Sequence, residues 1–263
     1  MANKNGQNKQ ENPSDEGALK PSASALSSSN AAPDQKCCAQ TERVVLLHGA
    51  TGSYNDMAAL ERSLVLQGYD VHNWDYPSTS LPIKDCAENI VQRHLSDEFN
   101  ASTQKTHFVG FSMGGLVVEE IVKNHRPHCL GRIVTIGTPY QGSDVADFMK
   151  SKLLYRKYFD MTFGPAGHEL TTAFRQAVMQ NIKPLDYELG SIGGDVNKAY
   201  FVARHLFNGR ANDGRVALEA TKHPYMKEHA VVHADHIGLV SHSDSHEYTL
   251  NFIQFGRFTR PNP

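Results

Sequence analysis

The clearest chemical signal in the sequence is a serine in a glycine-flanked turn. Ser112 is the centre of Gly110-Phe111-Ser112-Met113-Gly114, which follows a short apolar run and precedes apolar residues at helical spacing. Glycines two positions either side carry no Cβ, so a tight strand-to-helix turn can hold the serine hydroxyl clear of a sheet. The same turn would point the backbone N–H of Met113, at a helix N-terminus, toward a developing oxyanion. We therefore predict that Ser112 is a nucleophile.

A serine hydroxyl reacts readily only when a base accepts its proton and a carboxylate orients that base. Asp213 lies in the loop sequence N-D-G-R-V, and His236 lies in D-H-I-G-L after the last predicted strand. Asp213 and His236 are therefore candidates for the acid and the base. An ordinary Asx turn at Asp213 stays open, and His233 and His242 stay open as rival bases.

The abundance of histidines near the C-terminus also permits a metal site. Six are candidates for a chemical role: His223, His229, His233, His236, His242 and His246. The last four could ligate a metal by spacing alone, but the sequence has no H-E-x-x-H helix and no supporting cysteine or carboxylate pattern. We therefore expect neither a metal nor a cofactor, because the chain itself supplies the nucleophile and the base.

The predicted elements that must position these residues alternate between strand and helix, which is typical of a parallel α/β sheet. Short runs rich in β-branched residues predict strands, and apolar stripes at 3.6-residue spacing predict helices. A crowded apolar stretch between about 151 and 190 breaks the alternation and predicts a helical insertion. The predicted strands are 43–47, 69–74, 106–109, 132–136, 199–203 and 230–232, and the predicted helices are 54–67, 84–99, 113–124 and 243–255.

The sequence resembles the α/β-hydrolase family, particularly its compact bacterial lipases and esterases. In that family the first buried strand runs into a His-Gly loop that supplies an oxyanion-hole donor, and here residues 44–47 run into H-G-A. The sequence I-G-T-P at 136–139 is similar to the strand and loop that follow the family's nucleophile. The resemblance covers roughly residues 43–255. It implies an α/β-hydrolase fold, an oxyanion hole formed by the N–H groups of Ala50 and Met113, and the chain order serine, acid, histidine. The loops N-D-G-R-V and D-H-I-G-L are similar to the family's acid and histidine loops, so the resemblance implies Asp213 as the acid and His236 as the base.

The expected function is the cleavage of carboxylic esters through an acyl-enzyme on Ser112. Aromatic and aliphatic side chains between 153 and 163 could form a lid or an acyl-binding wall, although plain packing of a helical insertion explains them equally well. We place His48, Tyr158, Phe159 and Phe163 in the substrate site, with a small-molecule or lipid ester as substrate. A non-catalytic hydrolase-fold binding protein and an acyltransferase or thioesterase using the same serine stay open.

Composition limits the remaining choices. The 263 residues carry 26 Lys and Arg against 28 Asp and Glu, a net charge of −2 that does not favour nucleic-acid binding. No apolar run approaches the ~20 residues of a membrane helix, and no secretory signal is recognisable. We therefore expect the protein in the cytoplasm, unless a specialised machine exports the chain.

Residues 1–42 are polar and low in complexity, which predicts a disordered tail before a domain over 43–263. We expect the four cysteines to be reduced thiols. The oligomeric state stays open.

Overall fold

The computed structural model describes residues 41–198 and 205–260. Three features of the sequence interpretation lie outside them. These are the tail predicted over 1–42, apart from its last two residues, the strand predicted over 199–203, and the adjacent cysteines 37 and 38.

A parallel sheet of six strands forms the centre of the described chain. Its order is β2-β1-β3-β4-β5-β6, and every neighbouring pair is parallel. The prediction of an α/β fold with a mostly parallel sheet is confirmed. The strands are β1 (Arg43–Leu47), β2 (Asp70–Trp74), β3 (Thr106–Phe111), β4 (Leu130–Ile136), β5 (Leu189–Gly194) and β6 (Glu228–Val232).

Helices connect the strands and cover the sheet on both faces. Among the described residues they are α1 (Tyr54–Leu66), α2 (Ile83–His94), α3 (Asp97–Ala101), α4 (Met113–Asn124), α5 (Asp144–Ser151), α6 (Leu153–Glu169), α7 (Thr172–Met179), α8 (His236–Leu239) and α9 (Ser243–Phe255), with a 3-10 turn over Leu218–Thr221. None of these helices has the length and apolar character that crossing a bilayer requires.

Burial on both faces explains why the first strand is continuously apolar. Side chains alternate across a strand, so Val45 and Leu47 enter the core that α2 and α4 cover. Val44 and Leu46 enter the opposite core, under α1 and α9. All four are fully buried. A strand with one wet face would instead have alternated between apolar and polar residues.

The insertion between β4 and β5 differs from the predicted one at both ends. It begins with α5, because Ser143 caps that helix by accepting the N–H of Ala146. It ends before β5, whose sequence L-G-S-I-G-G has three glycines and little strand propensity. β5 nevertheless forms because it is buried between two neighbouring strands. The insertion therefore comprises α5, α6 and α7, and α6 is kinked at Gly164, just before Pro165.

Two smaller expectations are wrong. The helix predicted over 84–99 is divided into α2 and α3, because Ser96 caps a new helix by accepting the N–H of Phe99. Cys86 is a buried free thiol as expected, but Cys129 is disulfide-bonded.

The last helix offers a direct test of this packing. Phe252 of α9 is fully buried and its ring lies 5.1 Å from that of Phe258, whereas Phe255 on the same helix is 41% exposed. We expect Phe252→Ala to lower the free energy of unfolding by about 3–5 kcal/mol, because it opens a cavity against the sheet. Urea unfolding measures this difference, and Phe255→Ala is the matched control, expected to cost about 1 kcal/mol or less. Equal losses would contradict the described packing of α9.

Candidate active site

Ser112 lies in a strained turn between β3 and α4. Its φ of 53° and ψ of −123° are rarely adopted by a residue with a side chain. Neighbouring backbone leaves no room for larger residues around it. A Cβ on Gly110 would lie 2.4 Å from the Cα of Gly115, and one on Gly114 would lie 2.3 Å from the carbonyl oxygen of Leu47. The two glycines of the motif are therefore required by close approach.

Hydrogen bonds hold the backbone of this turn. The N–H of Ser112 donates to the carbonyl oxygen of Ile136 at 2.7 Å. The hydroxyl of Thr138 donates to the carbonyl oxygen of Ser112 at 2.8 Å. Both groups belong to β4 or the loop directly after it, so the neighbouring strand fixes the serine. Its half-buried side chain faces away from the sheet toward the loops at the carboxyl edge.

The side chain of His236 meets that serine. Its Nε2 lies 3.0 Å from the Oγ of Ser112. His236 is the first residue of α8, which Asp235 caps by accepting the N–H of Gly238 at 2.8 Å. The ring of Phe111 packs against the imidazole, with 5.1 Å between ring centroids. His236 is 4% exposed, so packing and the helix start together limit its rotation.

Asp213 completes the arrangement behind the imidazole. Its Oδ2 lies 2.7 Å from Nδ1 of His236, and its Oδ1 accepts the N–H groups of Arg215 at 2.9 Å and Val216 at 2.7 Å. The backbone N–H of His236 donates to the carbonyl oxygen of Asp213 at 2.8 Å. The carboxylate is fully buried, and these donors replace the water it has lost.

The three contacts define the proton positions. A carboxylate only accepts hydrogen bonds, so Nδ1 of a neutral His236 carries the ring proton and donates a hydrogen bond to Asp213. Nε2 is then an acceptor, and the Ser112 hydroxyl donates to it. The structure therefore brings together the three residues that the sequence singled out, in an arrangement that can remove a proton from Ser112.

The loop after β1 also lies close to the serine, since a Cβ on Gly49 would lie 3.0 Å from the Cβ of Ser112. Ala50 lines the cavities at Ser112, and Met113 begins α4, so its N–H lies in the first turn, where a helix leaves N–H groups without intrahelical partners. The N–H of Gly52 donates to the carbonyl oxygen of Gly49 at 3.2 Å, which turns this loop tightly. The position of Ala50 in this loop and that of Met113 at the start of α4 are compatible with the predicted role of their N–H groups as oxyanion donors.

His48 is buried under this loop and hydrogen-bonds to it. It lines neither of the two cavities that border Ser112, so its predicted place in the substrate site is wrong. It is 1% exposed and stacks on Tyr76 with 4.3 Å between ring centroids. Burial lowers the pKa of His48, which favours the neutral ring. The N–H of Tyr76 approaches Nε2 at 3.4 Å, so Nδ1 carries the proton and donates to the carbonyl oxygen of Gly49 at 2.8 Å.

Two cavities meet at Ser112 and differ in character. One, of about 220 Å³, has mostly apolar walls: Ala50, Pro139, Val145, Ala146, Met149, Phe159, Phe163, Leu170 and Val216, with Ser112, Ser143, Arg215 and His236. The other, of about 320 Å³, is more polar: Gly49, Ala50, Thr51, Gly52, Asp56, Phe111, Ser112, Arg215, His236, Ile237, Val240 and Ser241. Ala50 and Arg215 border both.

The aromatic candidates of the insertion are divided between two surfaces. Phe159 and Phe163 line the apolar cavity. Tyr158 is 55% exposed and does not line it, so its predicted place in the substrate site is wrong. Sequence reasoning missed the wall that α5 contributes through Val145, Ala146 and Met149. The serine before an acidic first turn, S-D-V-A-D, could have indicated that helix.

The rival histidines lie elsewhere. His233 pairs with Asp195 at 2.8 Å, and His242 caps α9 by accepting the N–H of Asp244. His246 meets Ser63 at 2.9 Å, but its other nitrogen faces the carbonyl oxygen of Val240 rather than a carboxylate. Within 41–198 and 205–260, no group of three or more His, Cys, Asp or Glu side chains could hold a metal ion.

Comparison with known proteins gives a family and a fold. Residues 44–245 match the model of the alpha/beta hydrolase family. No curated protein matches the sequence. Many solved structures share the fold. A mature lipase from Bacillus licheniformis is 20% identical with a TM-score of 0.64, covering 82% of this chain and 92% of its own.

Two other solved structures are more distant. A lipase from Staphylococcus hyicus is 13% identical with a TM-score of 0.57, and the match covers 80% of this chain and 90% of that one. A metagenomic carboxyl esterase is 16% identical with a TM-score of 0.56, covering 76% of this chain and 66% of that one. At these identities the likeness concerns the fold alone.

A buried bystander histidine makes stability depend on pH. Burial, with a smaller contribution from Arg175, lowers the pKa of His223 from 6.5 to about 4. Above pH 6.5 the ring is neutral in both states. As the pH falls from 6.5 to 4, the unfolded chain binds a proton that the native chain does not, so the free energy of unfolding falls by up to about 1.4 kcal/mol per pH unit.

We therefore expect His223→Asn to flatten this dependence. Urea unfolding at intervals between pH 8 and pH 4 measures it. At pH 8 the difference in the free energy of unfolding between the parent and the variant reports the change in packing alone. The change in that difference toward pH 4 reports the titration of His223. Parallel curves for the two proteins across the whole interval would contradict the assignment.

Proposed function

Because the chain belongs to the alpha/beta hydrolase family, we propose that it hydrolyses carboxylic esters through an acyl-enzyme formed on Ser112. The observation that carries the proposal is the unbroken chain of contacts from the Ser112 hydroxyl through His236 to Asp213, at the junction of two cavities. A binding protein has no need of a serine activated in this way. We also propose that residues 43–263 form one domain capped by α5, α6 and α7.

In the first half of the reaction, Ser112 Oγ attacks the ester carbonyl while Nε2 of His236 accepts the hydroxyl proton. The carbonyl oxygen becomes an oxyanion, which the N–H groups of Ala50 and Met113 stabilise. The intermediate then collapses. His236 gives its proton to the departing alcohol, the bond from the carbonyl carbon to that alcohol breaks, and the acyl group stays on Ser112.

In the second half, water takes the place of the serine as nucleophile. His236 removes a proton from water, hydroxide adds to the acyl carbonyl, and the proton returns to Ser112 as the acid leaves. Asp213 keeps the imidazole in the required tautomer and stabilises the imidazolium that forms twice in each cycle. Its remaining oxygen is held by the N–H groups of Arg215 and Val216, so the carboxylate does not rotate.

The two cavities give the substrate its orientation. We assign the acyl chain to the apolar cavity, because Phe159, Phe163 and Met149 would bury it, and the alcohol portion to the polar cavity. The apolar cavity has a volume of about 220 Å³, smaller than the roughly 300–1,000 Å³ typical of ligand pockets, and this limits the length of the acyl chain. Short and medium acyl chains are therefore the proposed substrates.

Removal of the nucleophile tests the reaction. We expect Ser112→Ala to lower kcat/KM for p-nitrophenyl butyrate at least about 10³-fold, because no acyl-enzyme can form. Release of p-nitrophenol at pH 8 measures the rate. Equal rates for the variant and the parent protein would exclude Ser112 as the nucleophile.

The chain offers a matched control in its second serine–histidine contact. Ser63 lies 2.9 Å from Nδ1 of His246, but the Nε2 of that ring faces the carbonyl oxygen of Val240 instead of a carboxylate. We expect Ser63→Ala to retain the parent rate within about twofold, since loss of a distant hydroxyl removes no interaction with the transition state. Amide and thioester analogues, and added alcohols as acyl acceptors, distinguish a hydrolase from a thioesterase or an acyltransferase.

A filled cavity tests the assignment of the acyl chain. Val145 lines the apolar cavity, so Val145→Phe shortens it. We expect kcat/KM for p-nitrophenyl octanoate to fall about 10-fold or more relative to the acetate, on the scale of one or two excluded methylene groups. Val65→Phe is the control, because Val65 is 53% exposed on α1. If Val145→Phe leaves the ratio of kcat/KM for the octanoate to kcat/KM for the acetate unchanged, the acyl chain binds outside the apolar cavity.

A further inference from the structure

The N-terminal half of α6 carries apolar side chains on two faces, and only one face is covered. Phe159 and Phe163 face inward and line the apolar cavity. Leu154, Tyr158 and Met161 follow each other at i, i+4 and i+7, which places them on one outward stripe.

This stripe and its neighbours are strongly exposed. Their exposed fractions are 81% for Leu153, 90% for Leu154, 49% for Tyr155, 55% for Tyr158 and 74% for Met161. Single exposed apolar residues are ordinary on a protein surface, but contiguous groups mark interaction sites. Every residue from 151 to 158 is exposed, so the start of the helix lies at the protein surface, with the ring of Tyr155 5.8 Å from that of Phe148 on α5.

Cations surround the same residues. Lys150, Lys152, Arg156 and Lys157 are all exposed, and none of them forms an ion pair with a described acidic side chain. The acids nearest in sequence have other partners: Asp160 pairs with His168 at 2.8 Å, and Asp147 accepts the N–H of Thr172 at 3.0 Å. Because the whole chain has a net charge of −2, this positive surplus is local. We call the five apolar residues and four cations together the α6 surface.

We propose that the α6 surface binds anionic lipid membranes. An exposed helix face with leucine, tyrosine and methionine interleaved with lysine and arginine suits the boundary between headgroups and acyl chains. The apolar side chains would enter that boundary, while the cations would contact lipid phosphates. Lysine ammonium groups on flexible stems match the diffuse charge of a headgroup layer, because they require no fixed partner geometry.

Charge disfavours a second copy of the chain as the occupant. In a twofold dimer the same patch meets itself, so the four cations of one copy would face the four of the other. No acid of the α6 surface is available to offset this repulsion, since the one acidic side chain within the stretch is already paired. An anionic lipid surface would cover the exposed apolar side chains and would also neutralise the cations that form no ion pair.

Membrane binding would bring the proposed ester hydrolase to its substrate. The inward face of the same helix borders the apolar cavity that reaches Ser112. An ester with a short or medium acyl chain that leaves the membrane at α6 would therefore be close to the proposed acyl site. Binding itself uses no catalytic residue, so a failure of the lipid proposal and a failure of the ester proposal are separately visible.

Cosedimentation of the full chain with vesicles tests the proposal. We expect at least about tenfold tighter binding to vesicles of phosphatidylcholine with 30% phosphatidylglycerol than to phosphatidylcholine alone, and weaker binding in 0.5 M than in 0.1 M NaCl. The triple variant Lys152→Gln, Arg156→Gln, Lys157→Gln should bind about 100-fold more weakly, at about fivefold for each cation. The double variant Leu153→Ser, Leu154→Ser should also lose at least tenfold.

Matched controls lie on another face. Leu66 on α1 is 83% exposed, and Lys123 on α4 is 67% exposed, so Leu66→Ser and Lys123→Gln should bind as the parent does. Circular dichroism and thermal unfolding confirm that each variant is folded. Absence of vesicle binding, equal binding to neutral and anionic vesicles, or equal losses in the controls would overturn the proposal. Self-association that Leu153→Ser, Leu154→Ser abolishes, without vesicle binding, would assign the surface to a second copy and overturn it too.

Discussion

The left-handed backbone at Ser112 is the constraint on which the rest of the site depends. Such a conformation costs about 1–3 kcal/mol and persists only where surrounding structure holds it. Here β4 and its following loop bind the serine's amide and carbonyl, while Gly110 and Gly114 let the α4 turn and the end of β1 approach. The Ser112 hydroxyl thereby lies at the end of β3, all six residues of which are buried, and this packing keeps the hydroxyl in place.

The sheet order explains how residues far apart in sequence meet. Parallel strands place the loops that follow them along one edge, and the loops after β1, β3, β4, β5 and β6 all contribute to this site. Ser112 follows β3, Asp213 lies between β5 and β6, and His236 follows β6. The insertion after β4 covers the same edge, and its helices α5 and α6 line the apolar cavity. One topological arrangement thus supplies the proposed nucleophile, base, acid and acyl-binding wall.

Sequence reasoning succeeds where one physical signal dominates. Continuous apolar runs predict the buried β1 and β3, and the glycine-flanked serine predicts the turn that the structure describes. It fails where context overrides local preference. The glycine-rich β5 is a strand because its neighbours bury it, and the cap at Ser96 divides a helix whose apolar stripe continues. The positions of His48 and Tyr158 could not be read from sequence, because residue type does not reveal which side of a loop or helix faces a cavity.

The central claim is that His236, oriented by Asp213, activates Ser112 for covalent chemistry. The most direct measurement is the rate at which a fluorophosphonate probe labels the folded protein, with the labelled residue identified by peptide mass spectrometry. We expect one label per chain, on Ser112, and labelling at least about 100-fold slower in His236→Ala. Labelling of another residue, no labelling of the folded parent, or an undiminished rate without the imidazole would contradict the claim.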